Sequence, residues 1–305
     1  MPNFFIIFLK GLAMGAADVV PGVSGGTVAF ITGIYDELLN SIKAVNPKTA
    51  LILFKQGPQA FWQAVNGNFL LSLLCGIVVS FLSLARLISW LMQTQPLLLW
   101  SFFFGLVAAS AVYIAKDLNF KSISQWLFLI LGFAIAFAVT SSVPMHVEAT
   151  PLKIFLAGSV AICAMILPGI SGSFILLLLG MYGAILTAVK DFDLQVISLF
   201  IAGCLCGLLS FVHVLSWLFK RFRAMTIALL TGFLLGSLNA LWPWKNTVTF
   251  YISSKGIKKP LLQENVLPNQ FFLLSEQDPQ LLLCILLSLV GILLVLGLER
   301  FSRAG

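Results

Sequence analysis

Residues 21–26 read Pro-Gly-Val-Ser-Gly-Gly, and residues 168–173 read Pro-Gly-Ile-Ser-Gly-Ser. Each run interrupts a long apolar stretch, the first over residues 4–39 and the second over residues 152–189. Proline lacks a backbone N–H and clashes with the preceding helical turn, whereas glycine frees the backbone angles. Each stretch is therefore predicted to form two short helices of about fifteen residues, fewer than the ~20 that a helix needs to cross hydrocarbon.

The composition predicts that the chain lies in a bilayer. Of its 305 residues, 60% are hydrophobic and 10% are charged, and the mean hydropathy is +1.04. A soluble domain keeps about a quarter of its residues charged. Further apolar runs are long enough to span a membrane, and they lack the alternation of a β-barrel strand. The predicted fold class is thus an all-α polytopic membrane protein, with full spans at Phe69–Met92, Leu97–Ala115, Trp126–Val143, Val196–Phe219, Thr226–Trp242 and Leu281–Leu298.

The charge and the cysteines point to no soluble partner or cofactor. The net charge is +7, which we attribute to basic residues that flank the spans and not to nucleic-acid binding. All five cysteines lie inside apolar runs and are predicted to be small buried hydrophobes without a metal or disulfide role. The sequence contains no Walker motif, metal-ligand spacing or nucleophile elbow, so no cofactor or metal is expected.

The two broken stretches are copies of one another. A shift of 147 residues brings the first Pro-Gly-x-Ser-Gly onto the second, because residue 21 then falls on residue 168. A shift of 127 residues aligns the spans that follow and brings Arg86 onto His213. The chain is therefore predicted to consist of two repeats, residues 1–148 and residues 149–305.

The distribution of lysine and arginine favours an inverted arrangement of these repeats. If each broken stretch is a hairpin that enters and leaves on one side, each repeat crosses three times and the two repeats are inverted. One side then carries Lys10, Lys43, Lys48, Lys55, Lys116, Lys121, Lys220, Arg221, Arg223, Arg300 and Arg303, and the other carries Lys153, Lys190, Lys245, Lys255, Lys258 and Lys259. The positive-inside rule then predicts cytoplasmic termini and an external loop over residues 245–280.

Paired broken helices in inverted repeats are typical of the substrate site of a secondary transporter. A helix that begins after Ser24 or Ser171 leaves its first N–H groups unpaired, and the neighbouring glycines let a ligand approach them. Dipole and donors together favour an anion such as phosphate or carboxylate. The predicted phosphate-binding residues are Ser24, Gly25, Gly26, Thr27, Ser171, Gly172, Ser173, Arg86 and His213. The alternative is a pair of helix kinks that serve only packing.

Three ionisable residues are predicted to lie deep in the membrane, where a charge is costly and usually faces a cavity or a partner. Arg86 could clamp a phosphate through its guanidinium fork, or it could form a structural pair with Asp18. His213 could bind the ligand, relay a proton or serve packing. Asp18 is a candidate for proton coupling.

Residues 11–27 read GLAMGAADVVPGVSGGT, residues 167–173 read LPGISGS, and residues 229–238 and 241–245 read LLTGFLLGSL and LWPWK. Together these motifs resemble the PopT family of polyprenyl-phosphate transporters, and the resemblance covers essentially the whole chain. It implies a non-enzymatic transporter that returns undecaprenyl phosphate from the outer to the inner leaflet of the bacterial cytoplasmic membrane, in support of cell-wall synthesis. The expected partners are this lipid carrier and membrane lipids. A proton or sodium ion could be coupled, and the oligomeric state stays open.

Two other functions are alternatives for this chain. The breaks are similar to the Pro-Gly-x-Ser-Arg-Ser element of membrane undecaprenyl-pyrophosphate phosphatases, but Gly25 and Gly172 stand where those enzymes have arginine. The first repeat also has no glutamate within a span apart from Glu37 near a segment end, so acid–base groups are missing. A small-anion secondary transporter with the same midplane site is the remaining alternative.

Overall fold

The computed structural model describes residues 4–20, 23–119, 121–144, 147–252 and 258–304. These residues are almost entirely helical, which confirms the predicted all-α polytopic fold. The helices are α1 (Phe4–Asp18), α2 (Gly25–Ile31), α3 (Tyr35–Ala44), α4 (Pro47–Gln56), α5 (Pro58–Ala64), α6 (Gly67–Thr94), α7 (Pro96–Ala115), α8 (Ile123–Ser141), α9 (Pro151–Ile166), α10 (Gly172–Leu178), α11 (Tyr182–Lys190), α12 (Leu194–Arg221), α13 (Arg223–Leu241), α14 (Pro268–Ser275) and α15 (Leu281–Ala304). Two strands, β1 (Lys245–Ile252) and β2 (Lys258–Asn265), add an antiparallel hairpin to the predicted external loop.

All six predicted spans are helical. Five of the helices in the described ranges, namely α6, α7, α8, α12 and α13, are long and apolar enough to cross a membrane. The sixth predicted span lies in α15, whose apolar part covers Leu281–Gly297. The pair α10 and α11 is apolar as well, but the two helices are bent by 109° with respect to each other.

Each broken stretch contains three helices, so the prediction of two was wrong. The first stretch forms α1, α2 and α3, and the second forms α9, α10 and α11. The additional bends lie at Gly33, with φ of 73°, and at Gly180, with φ of 68°. Other residues adopt this left-handed conformation at a cost, so a glycine here ends the short middle helix. Pro21 and Gly22, which begin the first break, lie outside the described residues.

The first helix of each broken stretch packs closely on the span that follows that stretch. In the first half, a β-carbon on Gly11 of α1 would overlap the backbone of α6, and a β-carbon on Gly76 of α6 would overlap the backbone of α1. Gly158 of α9 and Gly203 of α12 make the equivalent close approach in the second half. Small residues allow such approaches between membrane helices, where packing drives association. Both halves therefore use the same glycine contact at matched positions.

Each of the remaining spans packs on a span of the other half. Helix α15 packs on α7, where Gly105 lies against the backbone of Ser288. Helix α8 packs on α13, where Gly132 lies against the backbone of Leu229. Helices α7 and α13 also contact each other, so the last span of each half covers the middle span of the other.

Candidate functional site

The two breaks lie against each other, although about 140 residues separate them in the chain. The Ser24 hydroxyl donates to the carbonyl oxygen of Met165 at 2.8 Å. In the other direction, the Gly169 N–H donates to the Thr27 hydroxyl at 2.9 Å. Ser24 and Thr27 are fully buried. The first Ser-Gly-Gly-Thr and the second Pro-Gly-x-Ser-Gly are thus parts of one polar cluster inside an apolar protein.

Gly26 and Tyr35 tighten this contact. A β-carbon on Gly26 would overlap the carbonyl oxygen of Ile166, so only glycine allows α2 to approach the end of α9. The buried Tyr35 hydroxyl donates to the same carbonyl oxygen at 3.1 Å. The ring of Tyr35 packs against Phe219 of α12, with centroids 5.9 Å apart. Residues of α2 and α3 therefore hold the end of α9, just before the second break, in place.

The N-terminus of α2 is already occupied by a carboxyl group of the protein. The Gly25 N–H donates to the Asp18 carboxylate at 2.7 Å, and the Gly26 N–H donates to the Ser24 hydroxyl at 3.0 Å. The Asp18 side chain belongs to the last residue of α1, so the chain folds back across the break to cap α2. This arrangement shows that a carboxylate fits the backbone donors of the first break.

The N-terminus of α10 has no such carboxylate. The repeat places Met165 at the position of Asp18, since residue 18 shifted by 147 is residue 165. Ser171 precedes the helix without capping it, and its hydroxyl forms a hydrogen bond of 2.9 Å with that of Ser173. Ser171 is buried whereas Ser173 is exposed. The second break is therefore the more open of the two.

Arg86 and His213 stand apart from this cluster. Both side chains are exposed on the outward faces of α6 and α12, at the matched positions that the repeat predicts. Neither makes a contact with the breaks in the part of the chain that is described, and the carboxylate of Asp18 is bound by Gly25 and not by Arg86. His213 shares a hydrogen bond of 2.6 Å between Nδ1 and the Leu209 carbonyl oxygen, one turn earlier in its own helix. The structure thus brings Asp18 to the breaks and leaves the other two ionisable residues exposed on the surface of α6 and α12.

Two polar residues of the first hairpin were not predicted as site residues. Tyr35 aligns with Tyr182 of the second copy. This match between the repeats is the sequence feature from which Tyr35 could have been predicted as a site residue. Lys10 donates from Nζ to the Thr32 carbonyl oxygen at 2.7 Å, at the C-terminal end of α2. A cation at this end complements the helix dipole, as the Asp18 carboxylate does at the other end. The second copy has Ala157 at the position of Lys10, so the repeat pattern contained no sign of it.

The hydrogen bond of Tyr35 leads to a first prediction. A Tyr35→Phe variant leaves the Ile166 carbonyl oxygen without this donor, and we expect it to lose about 1 kcal/mol of stability. The matched control is Tyr182→Phe, because Tyr182 holds the equivalent position but is 41% exposed. Thermal unfolding of both variants in detergent measures the difference. Equal unfolding temperatures for the two variants would contradict a structural role for this bond.

Comparison with known proteins identifies the family. A family model described as VCA0040-like, undecaprenyl phosphate translocase-like, matches residues 14–259. The chain belongs to this family. The match includes both breaks and the spans between them, so the resemblance drawn from residues 11–27 and 167–173 is confirmed.

Curated relatives of this translocase-like family match over most of the chain. A polyprenyl-phosphate transporter of Vibrio cholerae serotype O1 is 50% identical over 301 residues, covering 99% of this chain and 98% of the relative. A polyprenyl-phosphate transporter of Staphylococcus aureus is 32% identical over 269 residues, covering 82% of this chain and 90% of that relative. No solved structure matches the chain.

Proposed function

We propose that this protein transports a polyprenyl phosphate, namely undecaprenyl phosphate, from the outer to the inner leaflet of the bacterial cytoplasmic membrane. Two relatives that match most of the chain are named as polyprenyl-phosphate transporters. The observation that carries the proposal is the contact between the two breaks, which concentrates hydroxyl groups and backbone N–H groups inside an apolar protein. A phosphate headgroup needs such donors to cross hydrocarbon, whereas its isoprenoid tail can remain in lipid.

The second break is the proposed place where the headgroup binds. The Gly25 N–H donates to the carboxyl group of Asp18, and the matched position of the second break has an uncharged Met165. The headgroup phosphate would take the corresponding place near Ser171, Gly172 and the exposed Ser173. Ser24, Gly25, Gly26 and Thr27 form the opposite wall, and the hydroxyl groups of Ser24 and Thr27 become available when the two breaks separate.

Arg86 and His213 are proposed to meet the headgroup at the lipid-facing surface. A guanidinium at mid-span that faces lipid is costly unless an anion reaches it. Because a lipid phosphate can slide along the outside of a helix, an exposed arginine suits capture from the membrane better than a closed cavity would. The inverted repeat would place Arg86 toward the outer leaflet and His213 toward the inner leaflet.

The direct test of this function is transport by the purified protein in proteoliposomes. Labelled undecaprenyl phosphate is placed in one leaflet, and its appearance in the other is followed with a membrane-impermeant reagent. We expect transport without release of inorganic phosphate, since Gly25 and Gly172 stand in place of the arginine of the phosphatase element and the first repeat has no pair of glutamates within its spans. Release of phosphate at a rate equal to disappearance of the substrate would instead support the enzyme.

A second prediction concerns topology. The inverted model places both termini and residue 55 in the cytoplasm and the segment around Asn269 outside. Single cysteines at these two exposed positions, in a variant without the native cysteines, should react with an impermeant maleimide from opposite sides of the membrane. We expect external labelling at position 269 and labelling at position 55 only after permeabilisation. The reverse pattern would exclude cytoplasmic termini.

A third prediction concerns Asp18 as the site of proton coupling. Asn in place of Asp18 still offers an oxygen to the Gly25 N–H, so we expect a folded variant with an intact first break. It cannot exchange a proton, and transport by Asp18→Asn should therefore be equally fast with and without an imposed proton gradient. Proteoliposomes with a pH difference across the membrane measure this. A variant that still responds to the gradient as the native protein does would place the coupling group elsewhere.

A further inference from the structure

Helices α4 and α5 occur in only one half of the chain. The broken stretches align at a shift of 147 residues, whereas the spans that follow them align at a shift of 127. The interval between the broken stretch and the next span is therefore 147 − 127, or 20, residues longer in the first half than in the second. Helices α4 and α5 fill this interval, whereas in the second half α11 ends at Lys190 and α12 begins at Leu194. The added segment, residues 46–65, therefore has no counterpart in the second half of the chain.

Local sequence makes α4 a helix without support from the core. Asn46 caps it by accepting from the N–H groups of Lys48 and Thr49 at 2.9 and 3.1 Å, and Pro47 occupies the first turn. Gly57, with φ of 89°, ends it and allows Pro58 to begin α5. Neither helix contains a buried residue. The segment is thus a defined helical structure whose outer face is not covered by the protein.

The uncovered face of α4 is apolar and has a basic edge. Pro47, Ala50, Leu51 and Phe54 follow the spacing that places them on one side of a helix. Phe54 is 84% exposed and Leu51 is 53% exposed. On the flank of this face, seven residues apart, lie the exposed basic residues Lys48 and Lys55. Residues 45–65 contain no aspartate or glutamate.

The segment is held against the N-terminal end of α6. Helix α5 ends at Ala64 and α6 begins at Gly67. The Trp62 indole N–H donates to the Asn68 side chain at 2.8 Å, and a β-carbon on Gly67 would overlap the Trp62 ring. Tryptophan favours the boundary between headgroups and acyl chains. Helix α5 is therefore anchored on the first turn of α6, and α4 precedes it directly through Gly57.

We propose that α4 is a membrane-surface helix that binds anionic phospholipids. Its Leu51–Phe54 face lies at the acyl boundary, and the ammonium groups of Lys48 and Lys55 contact headgroup phosphates. Apolar contact and attraction to anionic lipid together produce this kind of binding. Because the second half lacks the segment, the two faces of the transporter differ in their affinity for anionic lipid. This assignment does not depend on transport of a polyprenyl phosphate.

The test follows the depth of α4 in the bilayer. The full chain, with its native cysteines replaced by alanine, carries a nitrobenzoxadiazole fluorophore on a cysteine at position 54 or 56. Each protein is reconstituted into vesicles of phosphatidylcholine, with or without 30% phosphatidylglycerol (roughly the anionic content that attracts basic segments). Gln56 is the matched control, because it lies on the opposite side of the same helix. We expect quenching by spin-labelled lipid at position 54 to exceed that at position 56 by about twofold, since the apolar face sinks several ångströms deeper.

A charge control separates lipid binding from simple burial. Phosphatidylglycerol should strengthen the quenching at position 54. Each lysine near an anionic surface raises the binding equilibrium constant of the helix for that surface roughly fivefold. Lys48→Gln/Lys55→Gln should remove this response, whereas Lys121→Gln/Lys220→Gln, which removes the same charge elsewhere, should retain it. Circular dichroism and gel filtration confirm that each variant is folded. Equal quenching at positions 54 and 56, or equal loss of the response in both double variants, would overturn the proposal.

Discussion

Complete loss of transport in a Gly26→Leu variant is the largest effect that we expect. Even a β-carbon at this position overlaps the Ile166 carbonyl oxygen, so a leucine must push α2 away from the second break. The hydrogen bonds from Ser24 to Met165 and from Gly169 to Thr27 then break together. Overpacking of this kind costs about 1–3 kcal/mol, which a membrane protein of this size can survive. The variant should therefore remain folded and inactive.

The matched control for Gly26→Leu is Gly183→Leu. Gly183 lies in α11 of the other broken stretch, and nothing lies within 4 Å of a β-carbon there. Both variants receive the same side chain, so the control accounts for the loss of glycine itself. Transport in proteoliposomes and the unfolding temperature are measured for both. Native transport rates in a folded Gly26→Leu protein would show that the contact between the breaks is only a packing kink.

A loss of substrate affinity in Arg86→Ala is the second large effect. If the guanidinium binds the headgroup phosphate, its removal should weaken apparent affinity by about 10- to 100-fold, the value of hydrogen bonds to a charged group. Arg86→Lys should keep part of this affinity, since a point charge remains while the bidentate fork is lost. Binding is measured by titration of undecaprenyl phosphate, with Arg221→Ala as the control for an exposed arginine at a helix end.

The same arginine variant distinguishes ligand binding from structural pairing. Asp18 is bound by the Gly25 N–H and not by Arg86, so Arg86→Ala strands no carboxylate and should change stability by less than about 0.5 kcal/mol. If the two residues formed a pair, the loss would be about 3–5 kcal/mol. In that case Arg86→Ala/Asp18→Asn would recover stability and transport. We expect binding to stay lost in the double variant, and recovery would contradict the role of Arg86 in binding the phosphate.

Much of the helical layout followed from local sequence. The six apolar runs became helices because no other structure pairs every backbone group inside hydrocarbon. The helix starts after Ser24 and Ser171 were predictable, since proline and glycine end one segment and serine is a common first residue of the next. Only Ser24 forms the capping hydrogen bond. The extra bends at Gly33 and Gly180 were missed, although both glycines align in the repeat. A single glycine within an apolar run is compatible with a continuous helix, and only its positive φ shows that the chain turns there.

The candidate site depended on contacts that sequence spacing does not encode. The amino-acid sequence by itself determined that the chain is a membrane protein with two matched breaks, because hydropathy, proline and glycine act locally. Tertiary structure decided that Ser24 and Thr27 meet Met165 and Gly169, that Asp18 caps α2, and that Arg86 is exposed. Each depends on how helices distant in the chain pack and rotate against one another. That rotation is set by the glycine contacts between helices, and a linear pattern shows the glycines without showing which backbone each one faces.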